Sequence, residues 1–290
     1  MLYTEDNKIS MVVDWILTEK CNLNCYYCLQ HADTRKKECN PIDSTFLTKF
    51  ENTCLFHLTG GEPFLVPNLI ELVNEIQTQG HYVSMNTNLT RTTENFAKLI
   101  RKDKFLFMNA SYHYVYRKKH IAPFVRNYMK IREAGIFIYA TIVMIPNLFD
   151  ELLSVADMLI DKGVFVLPKL MRGRDNKKDY PQDYSVDELD KIKHLIVKSK
   201  LNLSEEEKNL FSIVCEYNIS IDDWQIGTHR TGTRCFDGKN YTRITEKGDV
   251  VYCNGLCIGN VYENNFQFKI HESKENCPHK GINNLCKMNY

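Results

Sequence analysis

The 290-residue chain lacks any apolar run approaching 18 residues, and the sequence therefore predicts no membrane span. It also lacks an excess of charge of one sign, because 37 basic and 36 acidic residues give a formal net charge of +1. Bulk charge therefore does not require a polyanionic partner, and we expect no nucleic acid binding. The opening MLYTEDNKIS has no pattern of a secretory signal, so we expect a cytoplasmic protein.

Cysteine, by contrast, is abundant and clustered. Three of the 11 cysteines lie between residues 21 and 28, and five lie in the last 56 residues. In a chain expected to be cytoplasmic, such clusters favour metal sites or reactive thiols over disulfides.

Short apolar segments recur along the first 170 residues and read as buried strands. They occupy residues 10–18, 54–60, 81–87, 104–111, 137–145 and 164–170. Helical patterns lie between them, as at 67–79 and 149–162, and three helical stretches end at a glycine: Gly80, Gly135 and Gly163. This alternation predicts an α/β fold, a partial (β/α)6 barrel of the TIM type, with its chemistry at the carboxyl ends of the strands.

The pattern changes after the sixth strand. A polar connector over 171–185 leads to two helical stretches, at about 185–200 and 204–216. The remainder reads as strand and turn, with a β-hairpin around Lys247 and Gly248. We therefore predict two domains, residues 1–216 and 217–290.

The segment KCNLNCYYCLQ places Cys21, Cys25 and Cys28 directly after the first barrel strand. Three thiolates and His31 would complete a zinc site. Alternatively, they would hold three irons of a [4Fe–4S] cluster and leave the fourth iron open to a small molecule. The spacing alone does not decide between these alternatives.

The segment LTGGEPF closes the second strand. Gly60 and Gly61 carry no Cβ, so a ligand can lie against their backbone. Exposed carbonyls there, with Glu62 beside them, suit an ammonium group. In isolation, GGEP is more typical of an ordinary turn.

Together, the cysteine triplet with Tyr27 before its last member and the GGEP strand end resemble the radical S-adenosylmethionine (SAM) superfamily over about residues 10–170. The resemblance implies that SAM completes a cluster held by Cys21, Cys25 and Cys28. It also implies an electron donor such as flavodoxin or ferredoxin. The reaction implied is reductive SAM cleavage to a 5′-deoxyadenosyl radical, which removes a hydrogen atom from an unactivated C–H bond.

The same resemblance implies roles for individual residues. Tyr27 corresponds to an aromatic residue near the adenine, and Gly60, Gly61 and Glu62 to the site of the methionine amine. Contacts with SAM or substrate are implied for four further residues, which could equally be polar caps on strand ends: Asn86, Asn88, Ser111 and Asn147.

The C-terminal cysteines resemble part of a SPASM or Twitch domain, which holds auxiliary iron–sulfur clusters. Lys280 and the terminal Tyr290 stand where a full SPASM domain has cysteines. The resemblance therefore implies one auxiliary cluster at most, with four ligands: Cys235, Cys253, Cys277 and Cys286. The alternative for this group is a structural zinc knuckle.

Cys257 remains unassigned within this group. It is an alternative cluster ligand, an inert small residue, or a catalytic hydrogen-atom donor.

Polar loops follow strands four and six and precede the C-terminal cysteines. Five residues of these loops are candidate substrate contacts, with a solvated loop as the alternative for each: His113, Arg172, Tyr180, Tyr184 and Arg230.

For the reaction, we expect oxidation or epimerisation of a small polar substrate, of the sugar or nucleotide type. This expectation rests on the absence of an N-terminal leader-peptide-binding pattern. The alternatives are a peptide- or protein-modifying maturase and, without catalysis, a zinc-stabilised binding module.

Overall fold

The computed structural model describes residues 2–4, 7–28, 38–91, 94–117, 120–171, 173–175, 177–217, 241–251 and 257–268. Its strands are β1 (Leu2–Thr4), β2 (Asn7–Ile9), β3 (Met11–Thr18), β4 (Cys54–Gly60), β5 (Tyr82–Thr87), β6 (Phe105–Ser111), β7 (Ile138–Met144), β8 (Val166–Leu170), β9 (Gly173–Asp175), β10 (Lys178–Tyr180), β11 (Tyr241–Ile244), β12 (Asp249–Val251) and β13 (Cys257–Asn260). Its α-helices are α1 (Leu69–Thr78), α2 (Glu94–Leu99), α3 (Tyr114–Arg117), α4 (Ile121–Glu133), α5 (Phe149–Asp161), α6 (Val186–Lys200) and α7 (Glu205–Tyr217).

Nine strands form the central sheet, in the order β13-β12-β11-β3-β4-β5-β6-β7-β8. From β3 to β8 each strand pairs in parallel with the next along the chain, and α1, α2, α4 and α5 occupy connections between them. The predicted α/β fold with six parallel strands is therefore confirmed. The three predicted helix-ending glycines, Gly80, Gly135 and Gly163, adopt φ of 92°, 84° and 82°.

The predicted C-terminal hairpin is present, and it extends the barrel sheet. β11 pairs in parallel with β3, with Tyr241 opposite Val12 and Ile244 opposite Trp15. β12 and β13 continue the sheet in antiparallel fashion. The predicted domain boundary coincides with the end of α7, and the division into two domains stays a prediction.

Side chains alternate between the two faces of the parallel sheet. On the outer face, Trp15, Phe56 and Leu58 belong to one hydrophobic core with the buried residues of α1 and α5. The opposite face, here called the inner face, carries apolar residues near the amino ends of its strands: Val12, Leu55, Tyr82, Phe107, Tyr139, Phe165 and Tyr241. Leu210 and Phe211 of α7 pack against them. The inner face therefore has an apolar floor, and its functional groups lie nearer the carboxyl ends.

Within the described ranges, no helix combines the length and the apolar character that crossing a bilayer requires.

His81 is a buried titratable group that precedes β5 and is 3% exposed. Its Nδ1 accepts the backbone N–H of Cys54 at 3.2 Å, and an interaction with the Leu47 backbone partly offsets the effect of burial on its pKa. Burial, assisted by the positive charge of Lys104, lowers the pKa of His81 from 6.5 to about 4. The folded chain therefore holds this imidazole neutral at pH values where the unfolded chain protonates it.

We expect this histidine to weaken the fold in acid. As the pH falls from 6.5 towards 4, only the unfolded state gains the proton, so the free energy of unfolding decreases. The loss attributable to His81 should reach about 3 kcal/mol below pH 4. His81→Gln keeps an acceptor for the Cys54 N–H but cannot titrate, so its acid-induced loss should be smaller by that amount. Denaturant unfolding at pH 7 and pH 4 measures the difference, with exposed His194→Gln as the control. Equal losses in the wild type and His81→Gln would contradict the assignment.

Candidate active site

The three cysteines of the predicted cluster site lie on the loop that follows β3. Cys25 is buried, Cys21 is partly buried and Cys28 is exposed. A turn joins two of them, since the N–H of Cys28 donates to the carbonyl of Cys25 at 3.1 Å. The N–H of Leu23 donates to Cys21 Sγ at 3.4 Å. A donor aimed at sulfur favours the thiolate form, which is the form that binds metals.

The end of β4 is fixed to the start of this loop by backbone contacts. The N–H of Gly61 donates to the carbonyl of Thr18 at 2.6 Å, and the N–H of Glu62 donates to that of Lys20 at 2.9 Å. A Cβ on Gly60 would lie 2.3 Å from Thr18 O, and one on Gly61 would lie 2.0 Å from Lys20 O. The close approach of the two backbone segments therefore requires glycine at both positions, and the predicted ligand contact of their backbone stays a prediction.

Glu62 is fully buried and turns towards β5. One carboxylate oxygen accepts from the Phe64 N–H at 3.1 Å and the Thr87 hydroxyl at 2.7 Å, and the other accepts from the Asn88 N–H at 2.6 Å. Burial raises the pKa of Glu62, and the three donors, with Arg117 nearby, oppose that rise. The carboxylate thus joins the ends of β4 and β5, and the contact with the methionine amine that the resemblance implied stays a prediction.

Asn88 connects this buried carboxylate to the cysteine loop. Its N–H donates to Glu62, and its carbonyl accepts from Arg117 Nη1 at 2.6 Å. Its side-chain Nδ2 donates to Asn22 Oδ1 at 2.8 Å and lies 3.8 Å from Cys21 Sγ. Asn88 is therefore placed to orient the first cysteine.

Sequence reasoning missed Arg117 and Asn22. Arg117 is only 5% exposed, with its guanidinium carbon 5.3 Å from the Phe124 ring centre. In the sequence it stands beside two lysines, where a solvated cation is the usual expectation. The available signal was its helical spacing from Tyr114, which places it on the first turn of α3.

Tyr27 and His113, both predicted as site residues, are brought together by the fold. The Tyr27 hydroxyl lies 3.0 Å from His113 Nδ1, and the two rings stack with centres 5.9 Å apart. Burial raises the pKa of Tyr27. Burial, with the charges of Arg117 and Lys169, lowers the pKa of His113 to about 4. A neutral aromatic pair therefore lies beside the cysteine loop.

Six polar side chains form a continuous hydrogen-bonded chain across the inner face, here called the polar chain: Ser84, His57, Asn86, Asn109, Thr141 and Ser111. Its five contacts measure 2.8, 2.9, 2.9, 2.9 and 3.1 Å in that order. It crosses β4, β5, β6 and β7, nearer the carboxyl ends than the apolar floor. Asn86 and Ser111 were predicted site residues, whereas the other four were not.

The hydrogen bonds of the polar chain all run in the same donor-to-acceptor direction. Asn86 Nδ2 can only donate, so His57 Nε2 accepts and the imidazole proton sits on Nδ1, facing Ser84 Oγ. Thr141 donates to Asn109 Oδ1, which leaves Ser111 as the donor to Thr141. Burial, more than the field of Lys169, lowers the pKa of His57, while Asp14 opposes the shift. His57 is therefore neutral and has a fixed tautomer.

Other predicted residues lie elsewhere. Tyr180 and Tyr184 are 9% and 6% exposed, and the Tyr184 hydroxyl contacts the carbonyl of Met144 and accepts the N–H of Met171 at 3.0 Å. Both rings are therefore packed, with the Tyr184 hydroxyl at the carboxyl ends of β7 and β8, and their role as substrate contacts stays a prediction. Asn147 is exposed in the turn after β7, and Cys257 is exposed on the edge strand β13.

Several predicted residues lie outside the described residues: Arg172, Arg230, Cys235, Cys253, Cys277 and Cys286. The auxiliary cluster therefore stays a prediction. Within the described ranges, no three His, Cys, Asp or Glu side chains converge as ligands of one metal ion. The fit of the cysteine loop to a cluster rests instead on its three thiols and on the donors aimed at Cys21.

Comparison with known proteins identifies solved structures of similar fold. The structure of native anSMEcpe with bound AdoMet superposes with a TM-score of 0.57 at 15% identity, covering 88% of this chain and 78% of that one. Streptococcus suis SuiB bound to S-adenosylmethionine gives a TM-score of 0.54 at 11% identity, covering 88% of this chain and 62% of that one. At such identities the likeness shows the fold alone.

A sequence relative matches over a shorter span. Uncharacterized protein MJ0907 of Methanocaldococcus jannaschii is 31% identical over 96 residues, which are 30% of this chain and 33% of that protein. The match thus spans about a third of this curated relative.

The family model described as the radical SAM superfamily matches residues 15–159, half of the chain. The matched span contains the cysteine loop, the glycine-rich end of β4 and most of the parallel strands. The chain belongs to the radical SAM superfamily.

Proposed function

We propose that the chain is an enzyme that binds a [4Fe–4S] cluster through Cys21, Cys25 and Cys28 and cleaves SAM there. When bound, the cluster supplies the electron that divides SAM into methionine and a 5′-deoxyadenosyl radical. The observation that carries the proposal is the attachment of the cysteine loop to the end of β4 by the 2.6 and 2.9 Å backbone bonds of Gly61 and Glu62. This attachment holds the three thiols at the carboxyl edge of the parallel strands, where such folds bind ligands.

The chain's own residues would act around that site in distinct ways. Leu23 and Asn88 direct N–H groups at Cys21 Sγ and favour its thiolate. The partly exposed Tyr27–His113 pair offers an aromatic surface for a nucleobase. Ser111, at the end of the polar chain and partly exposed, offers a hydroxyl to bound SAM or substrate.

For the substrate, we propose a peptide or protein side chain. Support comes from two proteins of similar fold: anSMEcpe has been solved with a Kp18Cys peptide at a TM-score of 0.56, and SuiB with its precursor peptide SuiA at 0.53. The alternative is a small polar molecule of the sugar or nucleotide type. The feature that favours it is the polar chain, whose hydroxyl, amide and imidazole groups suit a hydroxylated ligand.

An electron donor of the flavodoxin or ferredoxin type would approach the cysteine loop from solvent. Cys28 is exposed, and the neighbouring Tyr26 is 58% exposed. This side of the loop therefore offers a short path to the proposed cluster. An auxiliary cluster at the C-terminal cysteines is part of the proposal as a second redox centre.

Anaerobic reconstitution of the full chain tests the proposal. With iron, sulfide, SAM and dithionite, we expect roughly four irons per chain for one cluster, or roughly eight with an auxiliary cluster, and release of 5′-deoxyadenosine. Stoichiometric zinc without SAM cleavage would instead establish the zinc-stabilised module.

Once a substrate is found, the product mass separates the two expected outcomes. Oxidation removes two hydrogens from the substrate. Epimerisation leaves the mass unchanged in H₂O and, when an exchangeable thiol such as Cys257 returns the hydrogen, adds one deuterium in D₂O.

A further inference from the structure

The turn of the C-terminal hairpin lies beside the segment that leads into the cysteine loop, residues 18–20, here called the loop entry. The parallel pairing of β11 with β3 brings this turn to the carboxyl end of β3. One carboxylate oxygen of Glu246 accepts from the Glu19 N–H at 3.3 Å, and the other lies 3.5 Å from the Thr18 hydroxyl. A residue of the hairpin therefore contacts the chain two positions before Cys21.

The Thr18 hydroxyl has a fixed direction in this arrangement. Its oxygen accepts the N–H of Lys20 at 3.0 Å, and its own proton is donated to the Glu246 carboxylate, which can only accept. Thr18 is fully buried, whereas Glu19 and Glu246 are partly buried. The carboxylate thus accepts two donors of the loop entry, and hydrogen bonds to an ionised acceptor are stronger than those to a neutral one.

The loop entry is held from its other side by the end of β4. There the N–H groups of Gly61 and Glu62 donate to the carbonyls of Thr18 and Lys20. In the sheet, β3 lies between β4 and β11. The end of β4 therefore takes up carbonyl groups of the loop entry, while Glu246 takes up an N–H and a hydroxyl on the side of the hairpin.

The turn that carries Glu246 is itself well fixed. The Gly248 N–H donates to the Thr245 carbonyl at 2.9 Å, and Asn260 Nδ2 donates to the Lys247 carbonyl at 2.8 Å. Because the turn is bonded both within itself and to β13, its carboxylate is presented at a defined position.

A buried ion pair also fixes β11, the strand before this turn, against β3. Arg243 Nε donates to Asp14 Oδ2 at 2.9 Å, and the Tyr241 hydroxyl donates to the same oxygen at 3.1 Å. The Asp14 side chain is only 6% exposed. Movement of the hairpin along β3 would break this pair, so the distance between Glu246 and the loop entry is set by the sheet.

We propose that Glu246 is a positioning residue for the SAM-cleaving site, an inference that rests on the proposed radical SAM function. By accepting from Glu19 and Thr18, its carboxylate fixes the direction in which the chain leaves β3 towards Cys21. A ligand side chain performs well only when the structure around it holds it close to the productive geometry. The C-terminal hairpin therefore shapes the site of the first cluster in addition to extending the sheet.

Amide hydrogen exchange of the full chain, measured by NMR before reconstitution with iron, tests the contact itself. Glu246→Ala removes both acceptor oxygens, so the Glu19 N–H should exchange roughly 10-fold faster, the loss of a hydrogen bond to a charged group. Glu246→Gln keeps an oxygen for the Glu19 N–H and an amide that can donate to Thr18 Oγ1, so it should restore most of the protection. Lys247→Ala, at the exposed neighbour in the same turn, is the matched control and should change nothing.

Reconstituted chains then show whether this contact positions the cluster. In Glu246→Ala we expect faster release of iron to a chelator and an altered SAM-induced change in the electron paramagnetic resonance spectrum of the reduced cluster. Glu246→Gln should restore both properties. A residue that only stabilised the hairpin would leave the spectrum unchanged.

Exchange in β4 and β5 is the reference for global stability, because a general loss of stability would accelerate exchange there as well. Unchanged exchange of the Glu19 N–H in Glu246→Ala would overturn the inference, as would equal acceleration in the core strands or equal effects of Ala and Gln. The exchange measurement needs no SAM cleavage. A failure of the proposed reaction would therefore show separately, as absent 5′-deoxyadenosine in the wild type.

Discussion

Replacing Cys21, Cys25 or Cys28 with alanine is expected to abolish 5′-deoxyadenosine release and to lower the iron content by roughly four atoms per chain. Each thiol is one of the three in the CxxxCxxC motif, so its loss would leave the proposed cluster with a second open corner. Iron and sulfide assays, the visible absorption of the reconstituted protein and chromatography of the nucleoside products measure the effect. An auxiliary cluster, if present, would survive these substitutions and account for the iron that remains.

Two control variants sharpen this experiment. Cys39→Ala removes a partly buried thiol that lies outside the CxxxCxxC motif and packs against the main core, so iron content and SAM cleavage should stay at wild-type levels. His31→Ala distinguishes a zinc site from an iron–sulfur cluster. A zinc site would lose its fourth ligand, whereas the proposed cluster would keep all three of its protein ligands. Full SAM cleavage by any of the three loop variants would overturn the assignment of that cysteine.

Gly61→Ala is expected to be the most disruptive single-methyl addition at the site. The new Cβ would lie 2.0 Å from Lys20 O, 2.4 Å from Lys20 C and 2.9 Å from Cys21 N. All three are backbone atoms, so no side chain can swing aside, and the strand end must separate from the cysteine loop. We expect a loss of about 4 kcal/mol in the free energy of unfolding, at the upper end for point substitutions, together with poor cluster incorporation.

Gly80→Ala provides the matched comparison. Gly80 has φ of 92°, but no atom lies within 4 Å of the position of an added Cβ. Its substitution should cost only the left-handed backbone strain, about 1–2 kcal/mol. Denaturant unfolding of the apo chains gives both values. Similar costs at the two positions would show that the strand end and the loop are not tightly joined.

The parallel strands could be predicted because each is a short apolar segment, and the cysteine loop because its spacing is set by the chemistry of the ligands. The polar chain could not. His57 and Asn109 each follow a run of three or four apolar residues in CLFHLTG and FLFMNAS, where a tolerated polar residue gives the same pattern. Their function depends on which residue of the neighbouring strand lies opposite, and register is a property of the assembled sheet.

For two tyrosines, the sequence suggested a functional role, whereas the structure shows buried rings. Tyr180 and Tyr184 stand in a polar segment, where their hydroxyl groups suggest a binding role. The fold buries both rings, 4.9 Å apart, and backbone groups of Met144 and Met171 satisfy the hydroxyl of Tyr184. A ring that can either pack or bind gives the same sequence signal in both cases.

The single direction of the polar chain has a consequence for its evolution. Each inner residue of the polar chain donates a hydrogen bond to one neighbour and accepts one from the other. Reversing one amide would therefore place two donors face to face on one side and two acceptors face to face on the other. Substitution of Asn86 already interrupts the hydrogen-bonded chain. Substitution of Asn109 in that variant should therefore lower the free energy of unfolding by less than the same substitution in the wild type. Substitutions in the polar chain should therefore occur together, with one compensating for another. In related sequences this would appear as pairwise covariation between residues of β5, β6 and β7.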